Sequence, residues 1–441
     1  IADNNTAERG GAAFINGTNI IVKGGELNNN IAIFNESNPD ASGLGGAFDI
    51  VGDKIIVDGV HTNNNTAYRG GSSFIRGNNV TVINCNLDNN SATLRGGGIN
   101  IAGDDCNIEN VTVSNNKAGL MGGAIYVNSE GTTLTNIIAD NNTAERGGAA
   151  FINGTSVTVR GGELNNNKAN FNASRPDESG LGGAFDIVGS NILFDDVISN
   201  NNTAYLGGAA FIRGSNVTVQ NSNLDNNSAT LRGGALDIGG GEGSKIINVS
   251  ASNNRAGTKG GAVYVNGNKA LFDNVTSIHN TAQEGGSSYI EGNETTVINC
   301  NLDNNFATEN GGGLAVSGHN GTFENIALSN CNASDYGGAV YVIGDNNTFN
   351  NVTSIHNTAD YGGSSYIAGD NTVVENCNLD NNIAAVDGGG LYVKGNDCNF
   401  TNVKLSNCIA DGEGGAVYIS GDFASFDNVT SRNNTATYGG S

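Results

Sequence analysis

The chain has 441 residues with 67 glycines, 2 prolines, no tryptophan and 1 methionine, a composition outside that of ordinary globular enzymes. Its 20 basic residues stand against 43 acidic ones, and a net charge of −23 leaves little to neutralise phosphate, which argues against nucleic acid and anionic membranes as partners. No apolar run reaches membrane-spanning length, no targeting segment is visible and helix formers are scarce, so neither membrane insertion in this segment nor long helices are expected.

Along the chain a Gly-Gly pair recurs at Gly10-Gly11, Gly45-Gly46, Gly70-Gly71, Gly96-Gly97, Gly122-Gly123 and Gly147-Gly148, and onward to Gly439-Gly440. Successive second glycines lie 25 to 27 residues apart, except for two steps of 35. The stretch Ile1–Thr18 returns unchanged at Ile138–Thr155, and higher-order duplications read 11–148 / 148–286 and 286–363 / 363–440. The long steps hold insertions near 34–46 and 171–183, which contain both prolines. Self-similarity at a fixed period is the signature of a solenoid.

Taking the second glycine as position zero, position 4 is Val or Ile in each of 16 complete units, for example Ile15, Ile50 and Ile75. Apolar residues alternate at positions 2 and 4, 9 and 11, and 14 and 16, which predicts three short strands with inward side chains. Corners rich in Gly and Asn separate them, where positive φ is readily adopted. The predicted fold is all-β: a right-handed single-stranded parallel β-helix of about 16–17 rungs of 25–26 residues, one continuous domain over 1–441. Position 19 is usually asparagine (Asn30, Asn65, Asn90, Asn116, Asn142), replaced by cysteine at Cys331 and Cys408. Stacked amides there are expected to hydrogen-bond along the axis as an asparagine ladder. The alanine two places on (Ala32, Ala67, Ala92, Ala118) is expected to fit a tight corner.

The segments "LDNNSATLRGGGINI" (Leu87–Ile101) and "HNTAQEGGSSYI" (His279–Ile290) resemble the GGA and FxxN repeats of chlamydial polymorphic outer membrane proteins. They are still more similar to the Asn-rich adhesin-like surface proteins of methanogenic archaea, because Leu87, Val113 or Leu328 stands where the FxxN repeat has Phe. The resemblance implies a secreted, surface-displayed β-helix, extracellular or part of an extracellular filament, used for attachment or cell-cell contact. Its expected partners are cell-surface glycans or other copies of itself, head-to-tail or lateral.

Seven cysteines (Cys85, Cys106, Cys300, Cys331, Cys377, Cys398, Cys408) never share a phase on adjacent rungs, so buried free thiols are expected. No metal-ligand spacing exists, and no cofactor is expected. Asp49, Asp186 and Asp237 occupy outward position 3 of the first strand. Asp186 and Asp237 are two rungs apart, roughly 9.6 Å along the axis, which keeps a carbohydrate-active β-helix enzyme, lyase or hydrolase, as the alternative. No basic cluster stands near them in sequence, and the histidines His61, His279, His319 and His356 are dispersed, so the expectation is a structural or adhesive protein that is not an enzyme.

Position 3 is otherwise often aromatic. Tyr264, Tyr289, Tyr341, Tyr366, Tyr392 and Tyr418 continue a series begun by Phe14, Phe74, Tyr126, Phe151 and Phe211. Facing outward, these rings would form a stripe suited to sugar stacking or to side-by-side packing. Sequons at Asn4, Asn64, Asn141 and Asn201 are candidate N-glycosylation sites. Ile1 and Ser441 both fall inside the repeat, so each tip is expected to receive a further rung or another copy.

Overall fold

The computed structural model describes residues 1–440, so the expectation attached to Ser441 lies outside the described residues. The fold is a parallel β-solenoid of about 17 turns built on three parallel sheets. Among the described residues there is no α-helix, only a single 3₁₀ turn at Pro176–Glu178. Close packing divides the chain into two units, Ile1–Asn223 and Leu224–Ser441.

In the first unit, the first sheet starts from Ala13–Asn16 and runs in parallel register through Phe48–Val51, Ser73–Arg76 and Ile99–Ala102 to Ala210–Arg213. The second sheet holds positions 9–12 and 15–17 together, as in Ile55–Asp58 and His61–Asn63. The alternation predicts separate strands, and in most rungs they are separate, as two segments of the same sheet. At Thr133–Asp140 and Val157–Asn165 the two segments run as one strand without interruption. A left-handed residue at position 13 bends the sheet, as at Asn84 (φ 54), Asn110 (φ 51) and, within the first of these long strands, Asn136 (φ 52).

The third sheet is the segment expected as a tight corner. Thr66–Arg69 pairs with Ser91–Arg95, and Ala67 and Ala92 point inward as a buried alanine column. One small inward residue per strand is too short a pattern to announce a strand by alternation. The second unit repeats the scheme: Leu236–Gly239 begins its first sheet and Val417–Ile419 ends it. Its core adds stacked phenylalanines, Phe323 on Phe349 at 4.6 Å, and buried Phe400 stacks on the exposed Phe426 at 4.8 Å.

The glycine pair has two separate reasons. Gly45 has φ 62, and a Cβ there would lie 1.7 Å from the Phe48 carbonyl oxygen. Gly46 has no such φ, but its Cβ would meet the Gly71 carbonyl oxygen of the next rung at 2.0 Å. One glycine makes the turn and the other lets the rungs approach.

At position 19 the amides stack inside each unit. The Asn65 side-chain oxygen accepts from the backbone N–H of Asn30 at 2.9 Å and from its Nδ2 at 3.0 Å. Asn65 donates in turn to Asn90, Asn90 to Asn116, Asn116 to Asn142, Asn142 to Asn167 and Asn167 to Asn202. Each spare Nδ2 proton finds a carbonyl of the rung before, as Asn116 does at Leu87 (2.7 Å). In the second unit the ladder runs from Asn227 to Asn305 and is interrupted at Cys331. Cys331 still donates its N–H to Asn357 (2.8 Å), but its thiol offers Asn305 no amide oxygen.

All seven cysteines are free and buried. Burial pushes the thiols of Cys106 and Cys331 up to about 12, and those of Cys300 and Cys377 up to about 11.

Candidate functional site on the outer face of the first sheet

The outer face of the first sheet gathers most of the chemistry that varies along the chain. It is built from two positions. Position 3 points away from the core, and the residue at position −2, just before the glycine pair, ends the third sheet. The glycine corner turns the chain so sharply that the side chain at −2 lies over the ring at 3 of its own rung or of the next. Arg9 sits over Phe14 at 4.1 Å, Arg146 over Phe151 at 4.5 Å, Arg232 over Tyr264 at 4.4 Å and Lys259 over Tyr289 at 4.1 Å.

This arrangement corrects the expectation of an exposed stripe. Tyr264, Tyr289 and Tyr366 are buried, and Tyr341, Tyr392 and Tyr418 are half-buried. Phe74, Tyr126, Phe151 and Phe211 are buried as well, while Phe14 is exposed. A ring is as wide as the rung spacing of roughly 4.8 Å, so neighbours cover one another and the −2 side chain closes the top.

In the first unit this face is charged. Asp49 and Asp186 are fully buried, not solvated as an outward position suggests. Arg9 Nε donates to Asp49 at 2.5 Å, and Arg76 lies 3.7 Å away. The duplicated rung repeats the pair, with Arg146 Nε donating to Asp186 at 2.5 Å. Burial pushes both carboxyl groups above their ordinary value, against the pull of the arginines. Asp237, in the second unit, is bound by Arg232 at 2.7 Å. A basic partner thus stands beside each aspartate where the linear sequence showed none. The missed signal is the basic residue directly before the glycine pair, as in Arg9-Gly10-Gly11 and Arg146-Gly147-Gly148.

Above Tyr126 and Phe151 the surface opens into a cleft of about 540 Å³, lined by Arg95, Tyr126, Arg146, Phe151, Asn153 and Arg213 among others. Arg95 Nη1 donates to the Tyr126 hydroxyl at 2.8 Å.

In the second unit the cations at −2 give way to tyrosine. Tyr336 and Tyr361 stack at 5.4 Å, and Tyr336 also meets Tyr341 at 6.2 Å and Tyr366 at 4.6 Å. The row at position 3 continues with Tyr341–Tyr366 at 5.6 Å, Tyr366–Tyr392 at 5.0 Å and Tyr392–Tyr418 at 4.7 Å. Burial and the crowd of hydroxyls push Tyr366 up to about 12, so its own hydroxyl stays protonated at physiological pH. The result is a double row of half-buried rings with hydroxyl edges, a surface that can stack on a flat apolar face and hydrogen-bond beside it.

The other predicted residues lie elsewhere. Asn4, Asn64, Asn141 and Asn201 are exposed and left-handed (φ 61, 59, 57 and 57), one place before the ladder position. Each sequon therefore combines a corner asparagine, a ladder residue and an outward threonine of the third sheet, as in Asn64-Asn65-Thr66. Asn64 Nδ2 donates to Asn29 at 2.7 Å and Asn141 Nδ2 to Asn115 at 2.7 Å. His279 and His356 fill the same corner with φ 56 and 58. The insertions share one fold: Ser42 and Ser179 cap their loops, and Phe34 stacks on Tyr68 at 4.0 Å as Phe171 does on Tyr205 at 4.2 Å.

Among the described residues no helix is long and apolar enough to cross a membrane. No curated protein matches the chain. Residues 110–128 match the model of the Chlamydia polymorphic membrane protein repeat. Among solved structures, the chain is similar to the tailspike of E. coli bacteriophage HK620, solved with a pentasaccharide, at 11% identity and a TM-score of 0.35 over 92% of this chain and 73% of that one. The Dettilon tailspike is similar at 11% identity and a TM-score of 0.27 over 90% of this chain and 62% of that one.

Proposed function

We propose that the chain is a surface-displayed, adhesive β-solenoid of the extracellular space that holds glycans on the outer face of its first sheet. The observation that carries this reading is the tyrosine double row of the second unit. Tyr336, Tyr341, Tyr361, Tyr392 and Tyr418 are half-buried, so their rings are held in place while their edges stay open to solvent. Fixed rings cost little further entropy on binding and offer a repeated platform for an extended polymer. The polymorphic membrane protein repeat at 110–128 is in keeping with a surface protein. Association with further copies, end to end or through this face, belongs to the same proposal.

We propose no catalytic step. Asp49, Asp186 and Asp237 are each clamped by an arginine at the sheet face, which favours charge neutralisation over proton transfer. The test is binding of the whole chain to an array of surface polysaccharides. Retention of neutral glycans, lost in a Tyr392→Ala, Tyr418→Ala variant with unchanged circular dichroism, is the expected result. Unchanged binding by that variant, or cleavage of a bound glycan, would overturn the reading.

A further inference from the structure

We infer that the cleft over Tyr126 and Phe151 in the first unit is a subsite for a sugar carboxylate, so that this face selects acidic glycans; the inference rests on the glycan-binding reading above. The first observation is charge. In a chain of net charge −23, Arg95, Arg146 and Arg213 converge on one cleft. Asp186, the carboxylate beside Arg146 and Arg213, is engaged by Arg146. Glu145, next to Arg146 in the chain, is engaged by Arg175 and Asn172. Arg95 has no carboxylate within ion-pair distance among the described residues; its contacts are the Tyr126 hydroxyl and the ring beneath it. A guanidinium that is half-buried, oriented by a phenol and left without a counter-ion is set to take a planar oxyanion in a forked contact.

The second observation concerns Arg146, which lines the cleft, and the Asp186 that it holds behind the lining. Arg146 Nη2 and Asp186 Oδ1 are both buried and have no hydrogen-bond partner among the described residues. They flank the Arg146 Nε contact, one spare donor and one spare acceptor on adjoining groups. A hydroxyl satisfies such a pair, because it accepts and donates at once. The duplicated rung carries the same spare atoms, Arg9 Nη2 and Asp49 Oδ1, so the arrangement belongs to the repeated unit. A carboxylate beside a hydroxyl is the chemistry of a uronic acid. An acidic peptide would supply the carboxylate but no hydroxyl.

The third observation is spacing. Arg95 and Arg146 both occupy position −2, two rungs apart, or roughly 9.6 Å along the axis. That separation suits a polymer carrying its charge at regular intervals along an extended backbone. Asn153 also lines the cleft, its Nδ2 donating to Asn128 at 2.7 Å.

The test uses the whole chain and oligomers of galacturonate, glucuronate and mannuronate, each beside the same oligomer with its carboxyl groups reduced, and poly-glutamate as the peptide arm. Tighter binding of at least one uronate than of its reduced form is expected, with the preference weakening as salt rises. Arg95→Gln should lower that affinity about tenfold and leave the reduced oligomer unaffected, and Arg95→Lys should recover part of the loss. Equal binding of the acidic and reduced forms would overturn the subsite and leave glycan binding standing. Poly-glutamate binding as tightly as the best uronate would overturn the sugar assignment. Failure of every oligomer, neutral and acidic, would overturn both readings.

Discussion

The two units use one scaffold and differ in how they treat the same two positions. In the first unit, position −2 supplies Arg9, Arg69, Arg95 and Arg146, and position 3 supplies Asp49, Asp186 and buried aromatic rings. In the second, the cations end with Arg232 and Lys259, and Tyr336 and Tyr361 take over. The ladder differs too: it is continuous from Asn30 to Asn202 and broken at Cys331. The backbone thus fixes where side chains meet, and the identities of the residues at −2 and 3, on the same rung or on adjacent rungs, decide whether that meeting is ionic or aromatic. A solenoid can change its surface rung by rung without disturbing its core, because each rung contacts mainly its neighbours.

The largest expected effect breaks the ionic side of this contrast. Asp186→Ala leaves Arg146, only 12% exposed, without its counter-charge. A loss of about 3–5 kcal/mol is expected, read by denaturant unfolding and by hydrogen exchange over 146–213. Tyr366→Ala removes stacking without stranding a charge and should cost about 1–2 kcal/mol by the same measurement. Equal costs would show that burial of the face matters and its charge does not.

The ladder comes next. Asn116→Leu removes the acceptor for Asn90 and the donor to Asn142, and should cost about 1–3 kcal/mol, with faster exchange confined to neighbouring rungs. Exchange that quickened uniformly along the first unit would contradict nearest-neighbour coupling. A smaller and opposite effect is expected for Cys331→Asn, which restores an amide oxygen between Asn305 and Asn357. A gain of about 1 kcal/mol would appear as a raised Tm.

The smallest effect is in pH dependence. Burial raises Asp49 and Asp186 above 3.8, so the folded first unit holds their protons more tightly than the unfolded chain does. Their contribution is full below 3.8 and is lost as pH rises through the raised folded values. In the second unit, burial opposes the lowering at Asp303 and Asp380, yet serine and asparagine donors around them hold both carboxyls below 3.8. That stabilisation is present above 3.8 and is lost on acidification. Asp195 is held low by Asn221, Gln220 and Arg160 and offsets part of the difference in the first unit. Exchange protection near Asp303 and Asp380, corrected for intrinsic rates, should therefore fall on acidification while that near Asp186 does not.

Much of this was legible in the sequence. The glycine pair, the invariant Val or Ile at position 4 and the asparagine at 19 each recur once per rung, and a recurrence of that kind maps directly onto a stacked column. The third sheet was not legible, because Ala67 and its equivalents give one inward residue and no alternation. The burial of Tyr264 and Asp186 was not legible either. Outwardness is a property of the strand, whereas exposure depends on what crosses above it. The covering residue arrives across the glycine corner, as Arg232 does over Asp237 at a separation of five, a spacing that neither a helix nor a strand would have flagged. For Arg146 and Asp186 the separation is 40, and only the register of the duplicated rungs brings them together.

The central claim, that one sheet face presents an ionic subsite in one unit and an aromatic platform in the other, is tested most directly by hydrogen-exchange footprints of the whole chain. One footprint is taken with a neutral oligosaccharide that the chain retains and one with its uronate counterpart. The expected result is protection over 336–418 with the neutral ligand and added protection over 95–151 with the acidic one. Identical footprints, or protection confined to the second sheet, would contradict it.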